Sequence, residues 1–233
     1  MSLTTAVART ATNYDNPRSL GARLRARRIG PLVKMIDDAH RRYGRVDIID
    51  VGGTRTYWRI LSQRILAEKK ATITVVNLPG APLPDDEEHF RYAEGDGCNL
   101  ADYEDGTFHI AHSNSVIEHV GNWDNMVSFA NELRRVARSY FVQTPNFWFP
   151  VEPHFITPLF HWLPQSLRVS MIMRFNLGHF HRRTDVDSAV RVIEKAPRLL
   201  DRKMVRELFE DARIITERFF LLPKSLIAVR EES

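Results

Sequence analysis

The sequence predicts an α/β fold in which a doubly wound, mostly parallel sheet carries helices on both faces. Short apolar runs alternate with segments of helical periodicity along most of the 233 residues. The first apolar run, 46–51, leads straight into Gly52 and Gly53, and two extended segments close the chain. Alternating strands and helices are typical of parallel sheets with crossover helices, in which a glycine turn often follows the first strand.

The first half of the chain is predicted to form an N-terminal helix followed by a strand–helix–strand unit. Pro31 suits a first helical turn, and apolar residues recur at helical spacing up to Tyr43, where Gly44 ends the helix. A strand over 46–51, a helix from Thr56 to about Ala67 and a strand over 72–76 follow. This is the βαβ unit of a parallel sheet.

The rest of the chain continues the alternation and then breaks it. We predict strands over 90–93, 108–112 and 140–143, with a helix over 125–138 before the last of these. A helix capped by Asp201 leads to strands over 214–220 and 225–230, joined through Pro223 as an antiparallel hairpin. The sheet therefore has seven strands, the last of them antiparallel.

An aromatic- and proline-rich insertion follows the fifth strand, at about 147–200. It suits a cover over the mouth of a pocket, a satellite hydrophobic cluster, or a patch that faces a partner or a membrane. We divide the chain into a flexible N-terminus with a basic helical cap, 1–45, and one domain, 46–233, that includes the insertion.

The cysteine content, the length of the apolar runs and the distribution of charge limit which kinds of site and partner the chain can have. The net charge is +4, with one cysteine, Cys98, which excludes an internal disulfide and a cysteine-built metal site. The apolar runs are shorter than the ~20 residues of a membrane span, and a cytoplasmic setting is expected. The positive charge gathers early in the chain, where a solvated helix face is the favoured interpretation and phosphate, nucleic acid or an anionic membrane the alternatives. The basic residues concerned are Arg18, Arg23, Arg25, Arg27, Arg28 and Lys34.

With its elements in this order, the chain resembles the class I S-adenosylmethionine-dependent methyltransferases. It is similar to their small-molecule group, in which a Glu-His pair follows the fourth strand of a Rossmann-like domain. The resemblance runs from about Val46 to Asn146. It is carried by Asp50-Val-Gly-Gly-Thr54, Asn77, Gly95-Asp-Gly97, Ser113-Asn-Ser-Val-Ile-Glu-His-Val120 and Glu132-Leu-Arg-Arg-Val136.

The resemblance implies S-adenosylmethionine as cofactor and assigns roles to residues at the strand ends. Asp50 would orient the cofactor's ammonium or a bound water, Asn77 would hold the ribose and Asp96 the adenine. The full set of implied cofactor contacts is Asp50, Gly52, Gly53, Thr54, Asn77, Asp96, Gly97, Cys98, Ser113 and Asn114.

Three motifs depart from the family pattern. Only Gly52 keeps the glycine register, because Thr54 and Thr56 occupy the other two places. Asn77 stands where an acid is usual, and Phe108-His109 replaces the common Phe-Asp.

Histidines supply the candidate catalytic groups. His154, which follows Glu152 and Pro153, is the preferred general base. For His119, the histidine of the Glu-His pair, a buried and hydrogen-bonded position is favoured over a proton-accepting one. The insertion also contains His161, and His179 and His181 would share one side of a strand. Few acids accompany these histidines between Asn146 and Arg191, so no metal is expected.

The predicted function is S-adenosylmethionine-dependent methyl transfer to an oxygen, less favourably a nitrogen, of a small molecule or glycan. The alternative is a non-catalytic module of the same fold that binds a partner through the insertion. A nicotinamide-dependent oxidoreductase fits the first turn less well, since Gly-x-Gly-x-x-Gly is absent. Nucleic acid is not an expected partner, while a peripheral membrane contact is kept as an option.

Overall fold

The computed structural model describes residues 28–81 and 83–232. Its main strands are β1 (Val46–Val51), β2 (Ala71–Asn77), β3 (Phe90–Glu94), β4 (Phe108–Asn114), β5 (Ala137–Pro145), β6 (Val151–Glu152), β7 (Thr157–Pro158), β8 (Arg213–Phe219) and β9 (Leu222–Arg230). Its α-helices are α1 (Gly30–Tyr43), α2 (Gln63–Glu68), α3 (Trp123–Val136), α4 (Gln165–Arg174), α5 (Val186–Glu194) and α6 (Arg202–Leu208).

Seven strands form one sheet in the order β3-β2-β1-β4-β5-β9-β8. The pairs β1–β2, β1–β4, β2–β3 and β4–β5 are parallel, and β9 runs antiparallel to β5 and β8. The predicted fold class is confirmed, including the antiparallel last strand. Because the strand order reverses between β1 and β4, their carboxyl ends border the crevice where open α/β sheets bind ligands.

The sheet is buried on both faces, as its apolar strands require. One face packs against α3 and α6, around Phe129 and Leu133. The other packs against α1 and α2, where Leu32 and Trp58 are fully buried. Every residue of β4 up to Ser113 is buried, so this strand lies at the centre of the molecule.

The segment after the glycine turn differs from the predicted single helix over 56–67. A 3-10 turn, Tyr57–Ile60, comes first, and the chain is extended at Leu61 before α2 begins. The Ser62 hydroxyl accepts a hydrogen bond from the Ile65 amide, which satisfies an otherwise unpaired amide of the new helix. The serine cap therefore restarts the helix and divides the predicted element in two.

The C-terminal hairpin forms, but its turn lies earlier than predicted. Phe220 and Leu221 make the turn, and Pro223 is the second residue of β9. A proline near the start of a strand has few ladder hydrogen bonds to lose. Both turn residues are highly exposed, at 86% and 85%.

The insertion folds around its own small core. Its segments β6, β7, α4 and α5 enclose the cluster of Phe155, Phe160, Ile172, Leu177, Ala189 and Ile193. The chain leaves and rejoins the main sheet at one place, since the Phe147 amide donates to the Leu200 carbonyl at 2.9 Å. His179 lies in a turn between Leu177 and Phe180, so the predicted strand that would align it with His181 is wrong.

Most of the predicted basic N-terminal segment, residues 1–27, lies outside the described residues. Arg28, the first of its basic residues that the structure describes, is not solvated as expected. The Arg28 side chain is only 9% exposed and pairs with Glu217 at 3.3 Å. In the ranges that the structure describes, no helix combines the length and apolarity needed to cross a membrane.

Candidate functional site

The turn after β1 is tight and leaves no room for larger side chains. Gly52 has a φ of +70°, a left-handed conformation that favours glycine, and its amide donates to the Val76 carbonyl at 2.8 Å. A Cβ on Gly52 would lie 2.6 Å from the Val116 side chain, and one on Gly53 would lie 1.7 Å from Asp50 Oδ2. The second glycine therefore lets the turn pack directly on the buried carboxyl group.

Asp50 is the centre of a buried hydrogen-bond network that fixes this turn. Its Oδ2 accepts a hydrogen bond from Trp58 Nε1 at 2.7 Å, and its Oδ1 is bonded to His112 Nδ1 at 2.6 Å. The Asp50 side chain is fully buried. In this conformation the carboxyl group supports the turn from the interior of the protein, and its direct contact with a cofactor ammonium stays a prediction. The sequence did not indicate Trp58 and His112 as hydrogen-bond partners of Asp50, because both lie in segments whose apolar pattern is that of a hydrophobic core.

The residues after β2 and β3 present polar atoms at the neighbouring edge. Asn77 Nδ2 donates to the Gly53 carbonyl at 3.2 Å, which leaves the amide oxygen without a partner among the described residues. Asp96 is exposed, and its Oδ1 accepts a hydrogen bond from the Cys98 amide at 2.9 Å. Burial, followed by the negative charge of Asp96, raises the pKa of the Cys98 thiol to about 11. The thiol is therefore protonated at neutral pH.

Ser113 and Asn114, the two predicted cofactor contacts at the end of β4, lie in different environments. Ser113 is fully buried, and its hydroxyl donates to the Val51 carbonyl at 3.1 Å, which ties β4 to β1. Asn114 is partly exposed, and its side-chain oxygen accepts from Arg28 Nη2 at 2.7 Å. Arg28, two residues before α1, thus extends over the carboxyl end of β4. Thr54, in the turn after β1, is exposed.

The structure brings His119 and His154 together, although 35 residues separate them. Their Nε2 atoms are 3.2 Å apart. His154 Nδ1 is bonded to Glu152 Oε1 at 2.7 Å, so that the buried carboxylate holds the imidazole with Nε2 turned towards His119. His119 is exposed, which makes the predicted buried position wrong. Partial desolvation, followed by the charge of His154, lowers the pKa of His119.

Glu118 lies beneath this histidine pair and is almost completely buried, at 1% exposure. Its Oε2 accepts a hydrogen bond from the Thr144 hydroxyl at 2.9 Å, while Oε1 is buried without a partner. Burial raises the pKa of Glu118 to about 7, an effect that the Thr144 bond opposes. Sequence reasoning treated this residue only as half of a family motif.

Backbone hydrogen bonds of the insertion hold Glu118, the neighbour of His119, and His154 in place. The Arg198 amide donates to the Glu118 carbonyl at 2.8 Å, and the His179 amide donates to the His154 carbonyl at 3.3 Å. A Cβ on Gly178 would lie 2.6 Å from the same His154 carbonyl oxygen, so the glycine allows this close approach. The histidine pair therefore lies between the sheet and the insertion.

Residues 59–140 match the family model described as a methyltransferase domain. The match includes β2, β3 and β4 and ends within β5, and the order of these strands in the sheet is the one given above. The matched segment is similar to the domains of class I S-adenosylmethionine-dependent methyltransferases. The resemblance inferred from the motifs is confirmed at this level, and the cofactor of the domain is S-adenosylmethionine.

Solved structures of methyltransferases are similar to this domain at low identity. An O-methyltransferase family protein from Burkholderia thailandensis is 13% identical, with a TM-score of 0.46, over 89% of this chain and 57% of that one. A Methanosarcina mazei S-adenosylmethionine-dependent methyltransferase is 12% identical, with a TM-score of 0.46, over 81% and 94%. Phosphoethanolamine N-methyltransferase 2 from Haemonchus contortus is 13% identical, with a TM-score of 0.47, over 78% and 38%.

The chain thus spans little more than half the length of the Burkholderia protein. No curated protein sequence matches it.

The residues at the carboxyl ends of β1, β2 and β3 fit this cofactor. At Gly52 no side chain separates the backbone of the turn from the carboxyl ends of the strands, so a ligand can approach it closely. The Asn77 side-chain oxygen, which has no partner among the described residues, can accept a hydrogen bond from a ribose hydroxyl. Asp96, exposed after β3, has one carboxylate oxygen free of described partners for an amino group. The isopropyl group of Val116 lies over Gly52 and borders the same space.

Proposed function

We propose that the protein transfers the methyl group of S-adenosylmethionine to a hydroxyl oxygen of a small molecule or glycan. The observation that carries the proposal is an imidazole, His154, held by a buried carboxylate beside the cofactor edge of a methyltransferase domain. Bound S-adenosylmethionine supplies an electrophilic methyl group. The chain has to hold the acceptor in line with it and provide for the hydroxyl proton.

His154 is suited to take that proton. Glu152 occupies Nδ1 and is itself held by the backbone amides of His154 and Phe155, so the ring orientation is fixed. The proton acceptor is then Nε2, which faces His119 Nε2 at 3.2 Å. An amine acceptor that is already neutral would need no such base. The orienting carboxylate therefore favours oxygen over nitrogen. His119, 3.2 Å away, is the second catalytic candidate, because its Nε2 borders the same space.

Cofactor binding is the first step to test, by calorimetric titration of the purified protein with S-adenosylmethionine and S-adenosylhomocysteine. Asp96→Ala removes an exposed carboxylate that we assign to the adenine amino group. Loss of one hydrogen bond to a charged group, about 1.5–3 kcal/mol, predicts affinity about 10- to 100-fold weaker. Asp102→Ala, at an exposed acid on the same loop, is the matched control and should bind as the wild type does. Equal affinities for the two variants would contradict the assigned site.

Turnover tests the oxygen assignment. Hydroxyl-bearing small molecules and sugars are incubated with cofactor carrying a tritiated methyl group, and a labelled product is assayed for alkali-stable ether linkage. His154→Ala should lower kcat about 10²- to 10⁴-fold with unchanged affinity for S-adenosylhomocysteine. His181→Ala, at an exposed histidine of the same segment, should leave kcat unchanged. Product labelled on nitrogen, or full activity of His154→Ala, would refute the assignment.

A further inference from the structure

Three side chains of the candidate site converge as metal ligands do. Glu118, His119 and His154 each offer one ligand atom, and these atoms all lie within 4.8 Å of one another. In the described part of the chain, no other group of three such residues meets this geometry. The first two come from the 3-10 turn after β4, Ile117–His119, and the third from the insertion.

The carboxylate of this group is buried with unused bonding capacity. One oxygen of Glu118 is bonded to Thr144, and the other is buried without a partner. A buried acceptor without a partner is unfavourable, because it has lost its hydrogen bonds to water. A cation in contact with this carboxylate would supply the missing partner.

The imidazoles have the spacing of a shared ion. Nitrogens bound to zinc at 2.0–2.1 Å in tetrahedral geometry lie about 3.3 Å apart. The two Nε2 atoms are 3.2 Å apart. Glu152 holds Nδ1 of His154, which is the carboxylate–histidine–metal arrangement by which proteins orient a ligating imidazole.

We propose that Glu118, His119 and His154 bind a divalent transition-metal ion, for which Zn²⁺ is best suited. Two imidazoles and one carboxylate match catalytic zinc sites, which keep a fourth position open, whereas Mg²⁺ and Ca²⁺ favour oxygen ligands alone. The sequence-based expectation of no metal counted acids only between Asn146 and Arg191 and therefore overlooked Glu118.

The role of the ion rests on the proposed function, while its binding does not. In the open position it would coordinate the acceptor hydroxyl and make its O–H bond easier to break. The proton passes to solvent water, and the oxygen forms its bond to the methyl carbon as the carbon–sulfur bond breaks. The electron pair of that bond stays on sulfur, which leaves the neutral thioether. His154 is the proton acceptor in the metal-free site described under the proposed function. In the metal-bound site its Nε2 is a ligand of the ion, and solvent water accepts the proton instead.

The test titrates the chelator-treated full chain with ZnCl₂ against a chromophoric chelator and records the visible spectrum with CoCl₂. We expect one ion per chain and an intense Co²⁺ band typical of tetrahedral coordination. Glu118→Gln, His119→Ala and His154→Ala should each weaken Zn²⁺ binding more than 100-fold and remove the band. Glu152→Gln, which alters only the group behind His154, should weaken binding about 10- to 100-fold. His181→Ala is the matched control and should bind as the wild type does.

Titration of the same samples with S-adenosylhomocysteine separates this proposal from the proposed function. Variants that still bind S-adenosylhomocysteine are folded, so their loss of Zn²⁺ is specific to the ligands. Zn²⁺ affinity equal in the wild type and in His119→Ala and His154→Ala overturns the metal site, even where S-adenosylhomocysteine binds. Tight Zn²⁺ binding without any S-adenosylhomocysteine binding supports the metal site and overturns the proposed function instead.

Discussion

Replacing Trp58 by phenylalanine tests whether the buried network around Asp50 holds the cofactor turn. The substitution removes the indole N–H that donates to Asp50 Oδ2 at 2.7 Å. Because Trp58 is only 1% exposed, water cannot replace that donor without rearrangement. The carboxyl group keeps its bond to His112 and loses its second one.

The expected loss of stability follows from two contributions. An unsatisfied buried acceptor costs about 1–3 kcal/mol. The smaller ring also gives up buried apolar area worth about 1–2 kcal/mol. The sum, about 2–5 kcal/mol, is a large part of the roughly 5–15 kcal/mol by which native proteins are stable. In a chain of this size it lowers Tm by about 2–4 °C for each kcal/mol.

Urea denaturation followed by far-ultraviolet circular dichroism measures the change in the free energy of unfolding. Trp162→Phe is the matched control, because its indole N–H also donates a hydrogen bond, here to the Phe147 carbonyl at 3.0 Å, but the residue is 40% exposed. The control should lose less than about 1 kcal/mol. A loss for Trp58→Phe no larger than that of the control would refute the reasoning. S-adenosylhomocysteine affinity, measured below the transition, should fall in Trp58→Phe alone.

Three other substitutions or reactions give separate checks. Since the pKa of Cys98 is raised to about 11, its alkylation by iodoacetamide should be slow at pH 8 and accelerate about tenfold per pH unit up to that value; a rate equal to that of free cysteine would contradict the burial. Gly97→Ala places a Cβ 2.6 Å from the Phe129 ring, which should lower the urea midpoint by an amount equivalent to about 1–3 kcal/mol. Phe220→Ser, at the exposed hairpin turn, should shift the midpoint by less than about 0.5 kcal/mol, and a larger loss would show a packing role for that ring.

The fold was predictable because its signals are local. Strands such as β1 and β4 are short, continuous apolar runs, because both of their faces are buried. Such a run can be recognised as a strand from its own residues, without knowledge of its partners in the sheet. The failures of the fold prediction are local too. Ser62 divides a helix and Phe220 displaces a turn, both within a few residues of the predicted boundary.

The site was predictable only where the family motif places it. Pairing of His154 with His119 depends on how the insertion folds back on β4, and no periodicity encodes that approach. The Thr144 bond to Glu118 likewise joins the ends of two neighbouring strands. Sequence spacing therefore indicated that Glu152 and His154, two residues apart, form a pair. It did not indicate that the carboxylate of Glu118 lies close to the same imidazole.

The insertion begins and ends at the same point of the sheet, where Phe147 and Leu200 are hydrogen-bonded. A segment with adjacent ends and a core of its own behaves as an exchangeable cassette. Its length and composition are free to vary without shifting the register of β5 against β9. Exchange of the cassette at these two residues would replace Glu152 and His154 together with their surroundings, and would leave Asp50, Asn77 and Asp96 in place. Under the proposed function, such an exchange would therefore separate cofactor binding, which the sheet retains, from the proton-accepting group, which travels with the insertion.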